Sequence, residues 1–459
     1  MRATAATLAL LTVIAGAIAQ ALGGGMPAAA AAAAALLFYL LLEGWHCRRQ
    51  GRVILALALA AAAATVLWHG QPGAVLAKAT TAAAVIIGLF AALGFLREAA
   101  ESSPLVQQCG ELMVRQPPGR RYLVLTLGSH LISLVLNFGV LPLLGTMAMK
   151  GNTLEAAGGD ARIVAIRAQR MLSAMLRGFA MMTAWSPLSV SFAVTVAVIP
   201  GLDWPRLLPI QGGLAILLLG LGWLLDRRAF PASGQMLPGV GEPTDWRPAL
   251  WMTALVAAVV CVSVAMAEVL DVRLVVGAMV AVPPSALAWL LWQKRDARRA
   301  AADLAKSLRR TMPGFRDEVA MLGGAMFAGT VAAAFLSAES IGERIEALGL
   351  PPLLLVVLLA WTIMALAQLG VSQIASVTLL GGALAHAAPP LVLASAMMGA
   401  WALSACSTVV GAAVLTVARI GGVSVRVVGR QWNGRYVVVG GLLLAVWLVA
   451  LDRGLAVFG

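Results

Sequence analysis

Residues 134 to 145 read LVLNFGVLPLLG. The run is apolar enough for a bilayer interior, yet Asn137, Gly139 and Pro142 interrupt it within six positions. The wider apolar segment is 122–149. As one helix it would be about 42 Å long at 1.5 Å per residue, against a hydrocarbon core of about 30 Å. It is too long for a straight crossing and broken in the middle. The segment is therefore predicted to be two half-helices joined by a non-helical tip, a re-entrant hairpin. Irregular backbone at membrane depth is tolerated only where protein or a water-filled cavity surrounds it, so the interruption points to a site.

The rest of the chain fits that setting. Of its 459 residues, 61% are hydrophobic and 12% charged, and the mean hydropathy is +0.91. Long charge-free stretches recur, each able to span a membrane. Spans are expected near 4–24, 28–45, 53–69, 75–96, 178–199, 206–225, 249–268, 274–292, 319–338, 390–418 and 436–455. A second interrupted segment, 350–385, reads as another re-entrant hairpin or as two short spans. The first span follows Arg2 and has an alternative reading as a signal peptide; either way residue 27 falls outside. The fold class is thus an all-α polytopic membrane protein, with about 11 transmembrane helices plus two re-entrant hairpins. Alanine- and arginine-rich usage suggests a bacterial cytoplasmic membrane.

Charge decides the topology. If 122–149 returns to its side of entry, all but five (Lys78, Arg206, Arg273, Arg344 and Arg453) of the 33 Lys and Arg fall on the cytoplasmic side. A full crossing would put the loop from Lys150 to Arg177 outside, against the positive-inside rule. The same distribution excludes a nucleic-acid partner despite a pI near 10.9, because the basic residues sit in short loops between apolar spans. Cys47, Cys109, Cys261 and Cys406 form no CxxC pair and no metal spacing.

The layout repeats. After an N-terminal helix (1–27) come three spans, a hairpin and two spans (28–225). A Pro- and Gly-rich cytoplasmic linker follows (226–248). Three spans, a hairpin and two spans come again (249–459). One unit starts outside and the other inside, an inverted-topology repeat of the kind many secondary transporters use. Leu143-Leu144-Gly145 aligns with Leu379-Leu380-Gly381, setting Asn137 opposite Gln373. Ser186 pairs with Ser407, and Thr195 with Thr416.

Two broken places occur in each half. The hairpin tips hold Asn137-Phe138-Gly139 and Ser372-Gln373, with Ser376 one turn on. The next spans hold Ser186-Pro187-Leu188-Ser189 and Ser404 to Thr408, including Ser407 and Thr408. Proline within a helix frees a carbonyl. Freed carbonyls and half-helix C-termini suit a cation, while half-helix N-termini offer N–H groups and a positive dipole end to an anion. The candidate substrate- and ion-binding residues are Asn137, Gly139, Ser186, Pro187, Ser189, Ser372, Gln373, Ser376, Ser407 and Thr408. Each alone can also be read as a packing residue, since small and hydroxyl residues line membrane helix interfaces.

Those residues carry a resemblance. LISLVLNFGVLPLLG and TAWSPLS in the first half, and LGVSQIASVTLLGG and SACSTVV in the second, resemble the ion transporter superfamily. That group includes divalent anion:sodium symporters, arsenite permeases, sodium/proton antiporters of the same fold and large subunits of tripartite dicarboxylate permeases. The resemblance implies a re-entrant hairpin with an Asn-containing tip in each half, followed by a span broken at a Thr/Ser-rich stretch. It also implies a mobile domain of hairpins and broken spans moving like an elevator against a scaffold of the remaining spans, dimeric in many members. This chain departs from the pattern at Leu136 and Gln373, where Ser-Asn is common.

The titratable residues narrow the function. No Asp or Glu is expected deep in a span; Glu43, Asp226 and Glu268 sit near span ends. His130, seven residues before Asn137, is a candidate protonatable or substrate-contacting group, or else a satisfied interior histidine. His46, His69 and His386 read as structural. A site of neutral dipoles without a buried anion favours an anionic substrate. The expected function is a secondary active transporter for a small anion, an organic acid or carboxylate, coupled to Na⁺ or H⁺. The alternatives on the same fold are an inorganic-anion or metal-oxyanion efflux permease, or an ion antiporter. No catalytic or metal-binding constellation is expected, and no cofactor beyond Na⁺ as coupling ion. The expected partners are the lipid bilayer, the anion and a second copy of the chain.

Overall fold

The computed structural model describes residues 1–199, 201–231, 245–335, 349–385 and 387–458. Most of the expected 226–248 linker, the end of the expected span 319–338, Arg344 and His386 lie outside the described residues. The chain is an all-helical polytopic membrane protein. Among the described residues, eight helical segments are long and apolar enough to cross a membrane by length and composition, accompanied by shorter apolar helices.

Residues 2–46 form one helical run, and it holds both of the first two expected spans. It comprises α1 (Arg2–Ala19) and α2 (Gly25–Glu43). Gly23 (φ 95°) and Gly25 (φ 57°) take left-handed conformations between them, which residues with a Cβ rarely adopt. The chain folds back so tightly that a Cβ on Gly16 would lie 2.9 Å from that of Ala32. α3 (Arg49–Trp68) and α4 (Pro72–Glu101) follow. In the second half, α12 (Leu274–Lys294) and α14 (Arg316–Ala334) pack with these four helices, and α11 (Arg247–Val269) packs on α12. Together they make the first body of the molecule.

The second body takes the remainder of each half. It contains α5 (Pro104–Val114), α6 (Pro118–Leu136), α7 (Val140–Lys150), α8 (Ala161–Met182), α9 (Val190–Val198) and α10 (Trp204–Ala229). From the second half come α15 (Pro352–Gln368), α16 (Gln373–Leu384), α17 (Pro390–Ala405), α18 (Ala412–Gly421) and α19 (Gly434–Phe458). The resemblance implied that spans outside the hairpins and breaks belong with the scaffold. In the structure α10 and α19 pack against each other and against the broken spans α8 and α17. Small residues let them in: a Cβ on Gly213 would lie 3.3 Å from Trp447, and one on Gly440 would lie 2.5 Å from Leu403. Close approach at small residues is how helices associate where lipid removes the hydrophobic drive.

Three stretches expected as loops are helical. Residues 104–114 form α5, and residues 161–177 belong to α8 rather than to a cytoplasmic loop. Residues 297–311 form α13 (Ala297–Thr311), capped by Asp296, whose carboxylate accepts from the N–H groups of Arg298 and Arg299. Its Ala300, Leu304 and Leu308, four residues apart, are buried while its basic residues face out. That is the pattern of a helix lying on a surface. High charge density hid α8 and α13 from a reading based on hydropathy.

Candidate functional site

The chain reverses at Asn137. Ser129 Oγ donates to the Met175 carbonyl at 2.8 Å, and a Cβ on Gly145 would sit 3.6 Å from Met175 Cε. A continuous helix would separate residues 129 and 145 by roughly 24 Å, yet both lie against one residue of α8. The turn is made by Asn137 itself, at φ 49° and ψ −127°. Asn tolerates positive φ better than other residues with a Cβ, which explains an amide at the tip. Its side chain makes no hydrogen bond among the described residues. Beside it Phe138 is 43% exposed and meets Phe179 of α8 with ring centroids 4.9 Å apart.

The second reversal falls at Leu369–Ser372. Trp401 faces Gln373, whose Nε2 donates to its carbonyl at 3.0 Å, and a Cβ on Gly381 would lie 2.6 Å from Met397 Cε. The arm α16 therefore runs down α17, while α15 runs up it to Ala367, whose carbonyl accepts from Thr408 Oγ1 at 2.8 Å. The residue with positive φ is Gly370 (φ 88°). So the tip is centred on Gly370, three residues before the expected Gln373, which begins the second arm instead. Gly145 and Gly381 do occupy matching places. A Cβ on Gly145 would lie 2.8 Å from Ile420 of α18, and one on Gly381 would lie 3.4 Å from Val198 of α9. Each second arm thus rests on the short half-helix of the opposite half.

Both later spans are broken where expected. α8 stops at Met182 and α9 starts at Val190; α17 stops at Ala405 and α18 starts at Ala412. In the first break, around Pro187, Ser186 Oγ accepts from the Leu188 N–H and Ser189 Oγ from the Phe192 N–H. Both serines are fully buried, and their hydroxyls hold the shape of the break. Ser376 likewise donates to the carbonyl of Ser372 within its own helix. In the second break, Gln368 Nε2 donates to Ser407 Oγ at 2.6 Å. Gln368, Gly370, Ser407 and Thr408 thereby lock the second tip to the second break. Gln368 was not anticipated; its nearness to the glycine of LAQLGVSQ was the available signal.

The first tip and break are tied otherwise. Trp185 Nε1–H can only donate, and it meets His130 Nε2 at 3.0 Å. The proton of the neutral ring then lies on Nδ1, which meets the Gly178 carbonyl at 3.1 Å. With both nitrogens used, His130 is a strut between α6 and the break. Of the candidate residues, Gly139 approaches the first body instead, where its Cβ would lie 3.8 Å from Arg97 Nε.

Two sets of polar residues were missed. Ser191 and Thr195, one turn apart on α9, have buried hydroxyls with no partner. Arg177, counted among loop cations, is 6% exposed within α8. Its Nε donates to Asn433 Oδ1 at 2.9 Å, its guanidinium also to the Tyr122 hydroxyl and the Trp432 carbonyl. It stacks 4.6 Å over Tyr436. Every partner is neutral. Nearby, Arg170 is matched by Asp226 in a two-pronged ion pair at 3.1 and 2.7 Å. A cavity of about 120 Å³ opens between them, lined by Arg170, Ser173, Arg177, Asp226 and Arg435. Ser173 Oγ is buried there without a partner. Asn433 belongs to the turn 427–433, whose Gly429 lies against the Ser407 carbonyl, so Arg177 is connected to the second break. Among the described residues no group of His, Cys, Asp and Glu could hold a metal ion.

No protein-family model and no curated relative matches the chain. The fold is similar to that of the Alcanivorax borkumensis YdaH transporter, whose crystal structure is described as having an unusual topology. The likeness has a TM-score of 0.53 and covers 87% of this chain and 98% of that one, at 14% identity. It shows that the two chains share a fold.

Proposed function

We propose that the chain is a secondary active transporter for a small anion, an organic acid or carboxylate, moved across a bacterial cytoplasmic membrane with Na⁺ or H⁺ as the driving ion. The observation that carries the reading is Arg177. A buried cation is costly unless a counter-charge compensates it, and Arg177 has only neutral partners. An anion in the adjoining cavity supplies the missing charge.

The two reversals and two breaks support alternating access. On this reading 122–149 and 350–385 are re-entrant hairpins, and 28–225 and 249–459 are the units of an inverted repeat. The second body carries substrate past the first as an elevator, with the first body the natural dimer contact. Ser191 and Thr195 offer free hydroxyl oxygens to a coupling cation. His130, held neutral by two partners, does not favour proton exchange through that residue. An inorganic oxyanion permease of the same superfamily remains the second reading, favoured by the small size of the cavity beside Arg177.

The test is thermal unfolding of purified protein with mono- and dicarboxylates, sulfonates, sulfate and arsenite, each with and without Na⁺, followed by uptake into vesicles without ATP. A bound ligand stabilises by RT ln(1 + [L]/Kd). A shift with one anion class, lost in Arg177→Gln and accompanied by uptake, supports the reading. Absence of any shift and of any uptake overturns it.

A further inference from the structure

Glu98 lies in the last turn of α4 and is 6% exposed. Like Glu43 and Asp226, it lies near a helix end rather than deep in a span. Its Oε1 is, among the described residues, the buried carboxylate oxygen with no hydrogen-bond partner, and Glu98 makes no salt bridge. The C-terminal end of a helix carries partial negative charge, so this position needs a cation more than most. Glu98 faces a cavity of about 320 Å³ between α4, α12 and α13, lined also by Ser102, Lys294, Lys306, Ser307 and Arg310. Lys294 is taken by an ion pair with Asp303. Lys306 and Arg310, four residues apart on the exposed side of α13, have no carboxylate partner among the described residues.

The cavity therefore offers a buried anion, two hydroxyls, and two free cations. The complementary ligand carries an ammonium at one end and a phosphate at the other. The depth of the site says where such a ligand comes from. Trp292, two residues before Lys294, is 59% exposed and pairs with Trp251 at 6.2 Å. Exposed tryptophans mark the membrane–water interface, and basic pockets at that level take phospholipid headgroups. The amphipathic α13, packed over the ends of α1, α4 and α12, belongs at the same level.

We propose that this cavity is a structural site for a phospholipid headgroup with a primary ammonium, of the ethanolamine type. The ammonium donates to Glu98, and Lys306 and Arg310 hold the phosphodiester. The site is independent of which substrate is transported.

Full-length protein stripped of lipid in detergent would be titrated with dihexanoyl-phosphatidylethanolamine, -phosphatidylcholine and -phosphatidylglycerol, and with free O-phosphoethanolamine. The readout is the thermal midpoint. The ethanolamine lipid is expected to stabilise most, since the choline group has no N–H to donate. Glu98→Gln is expected to remove that preference, weakening ethanolamine-lipid binding roughly tenfold or more, as for loss of a hydrogen bond to a charged group. Lys306→Gln with Arg310→Gln, both on the surface of α13, is expected to weaken all three lipids. Equal shifts for the three lipids overturn the proposal. So does an ethanolamine preference that persists in Glu98→Gln, or undiminished binding of all three lipids in the surface double variant, which keeps the test decisive should Glu98→Gln misfold. An equal shift with free O-phosphoethanolamine overturns the lipid assignment.

Discussion

Arg177 and Asn433 are joined by a 2.9 Å hydrogen bond across 256 positions of sequence. The bond connects a helix of the first half to the turn that supports the broken helix of the second. Replacing Arg177 by Gln leaves the Tyr122 hydroxyl and the Trp432 carbonyl without their donor, and unsatisfied buried groups cost about 1–3 kcal/mol each. Thermal unfolding is expected to show a loss in that range. Arg177→Lys keeps the charge but cannot reproduce the fork of donors, so it should recover anion-dependent stabilisation only in part. Full anion response in Arg177→Gln would remove Arg177 from the site.

The contact of Gly145 with Ile420 predicts a rescue. A Cβ on Gly145 meets Ile420 Cδ1 at 2.8 Å. Gly145→Val should destabilise by about 1–3 kcal/mol through overpacking. Adding Ile420→Ala should return part of that, because the clash and the new space coincide. A double-mutant cycle measures the coupling, and additive effects would mean that hairpin and half-helix do not touch.

Gln368 and Ser407 are expected to couple in the same way. Their 2.6 Å hydrogen bond should contribute about 0.5–1.5 kcal/mol. If the bond also closes the second tip on the break, Gln368→Ala should speed uptake or leak while lowering the unfolding temperature only slightly. Unchanged transport in this variant assigns the bond to packing.

Exposure at the first tip can be read with a thiol. Cys47, Cys109 and Cys406 are buried and Cys261 is exposed, so Cys261→Ser gives a quiet background. Phe138→Cys, at the 43% exposed position, should react with a charged maleimide in intact membranes. Saturating substrate should slow the reaction. A tip facing lipid would leave the thiol unlabelled.

Asp303 supplies a pH dependence. Its ion pair and hydrogen bond with Lys294 hold its carboxyl below the ordinary carboxylate range. A depressed folded-state value means that the contribution is present above the unfolded carboxylate pKa and is lost as pH falls through the folded value. Docking of α13, followed by proteolysis, should weaken only as pH falls below the ordinary Asp pKa of about 3.9, and Asp303→Asn should remove that part of the dependence.

Much of the architecture was legible because the bilayer imposes a simple rule. A segment as long as 122–149, with Asn137 in its middle, is expected to break, and the backbone turns there at a positive φ. Both breaks, at 183–189 and 406–411, could be read from Pro187 and from the run of small polar residues at 404–408. What was misread has one cause. Hydropathy discounts charged residues, so residues 161–177 of α8 and the whole of α13 passed for loops, and Arg177 for a loop cation. The shift of the second tip from Gln373 to Gly370 has another: a glycine takes positive φ without strain, and it outcompeted the amide that a paired reading had favoured.

The sequence by itself determined the membrane setting, the number of breaks and their approximate places, because these follow from local chemistry: backbone that must be satisfied within lipid, and residues that cannot continue a helix. Only the tertiary structure decided which polar groups find partners. His130 meets Trp185 across 55 positions, while among the described residues Arg177 finds no carboxylate and Glu98 Oε1 finds no partner. Burial and pairing depend on neighbours brought from distant parts of the chain, and no pattern along the sequence encodes them.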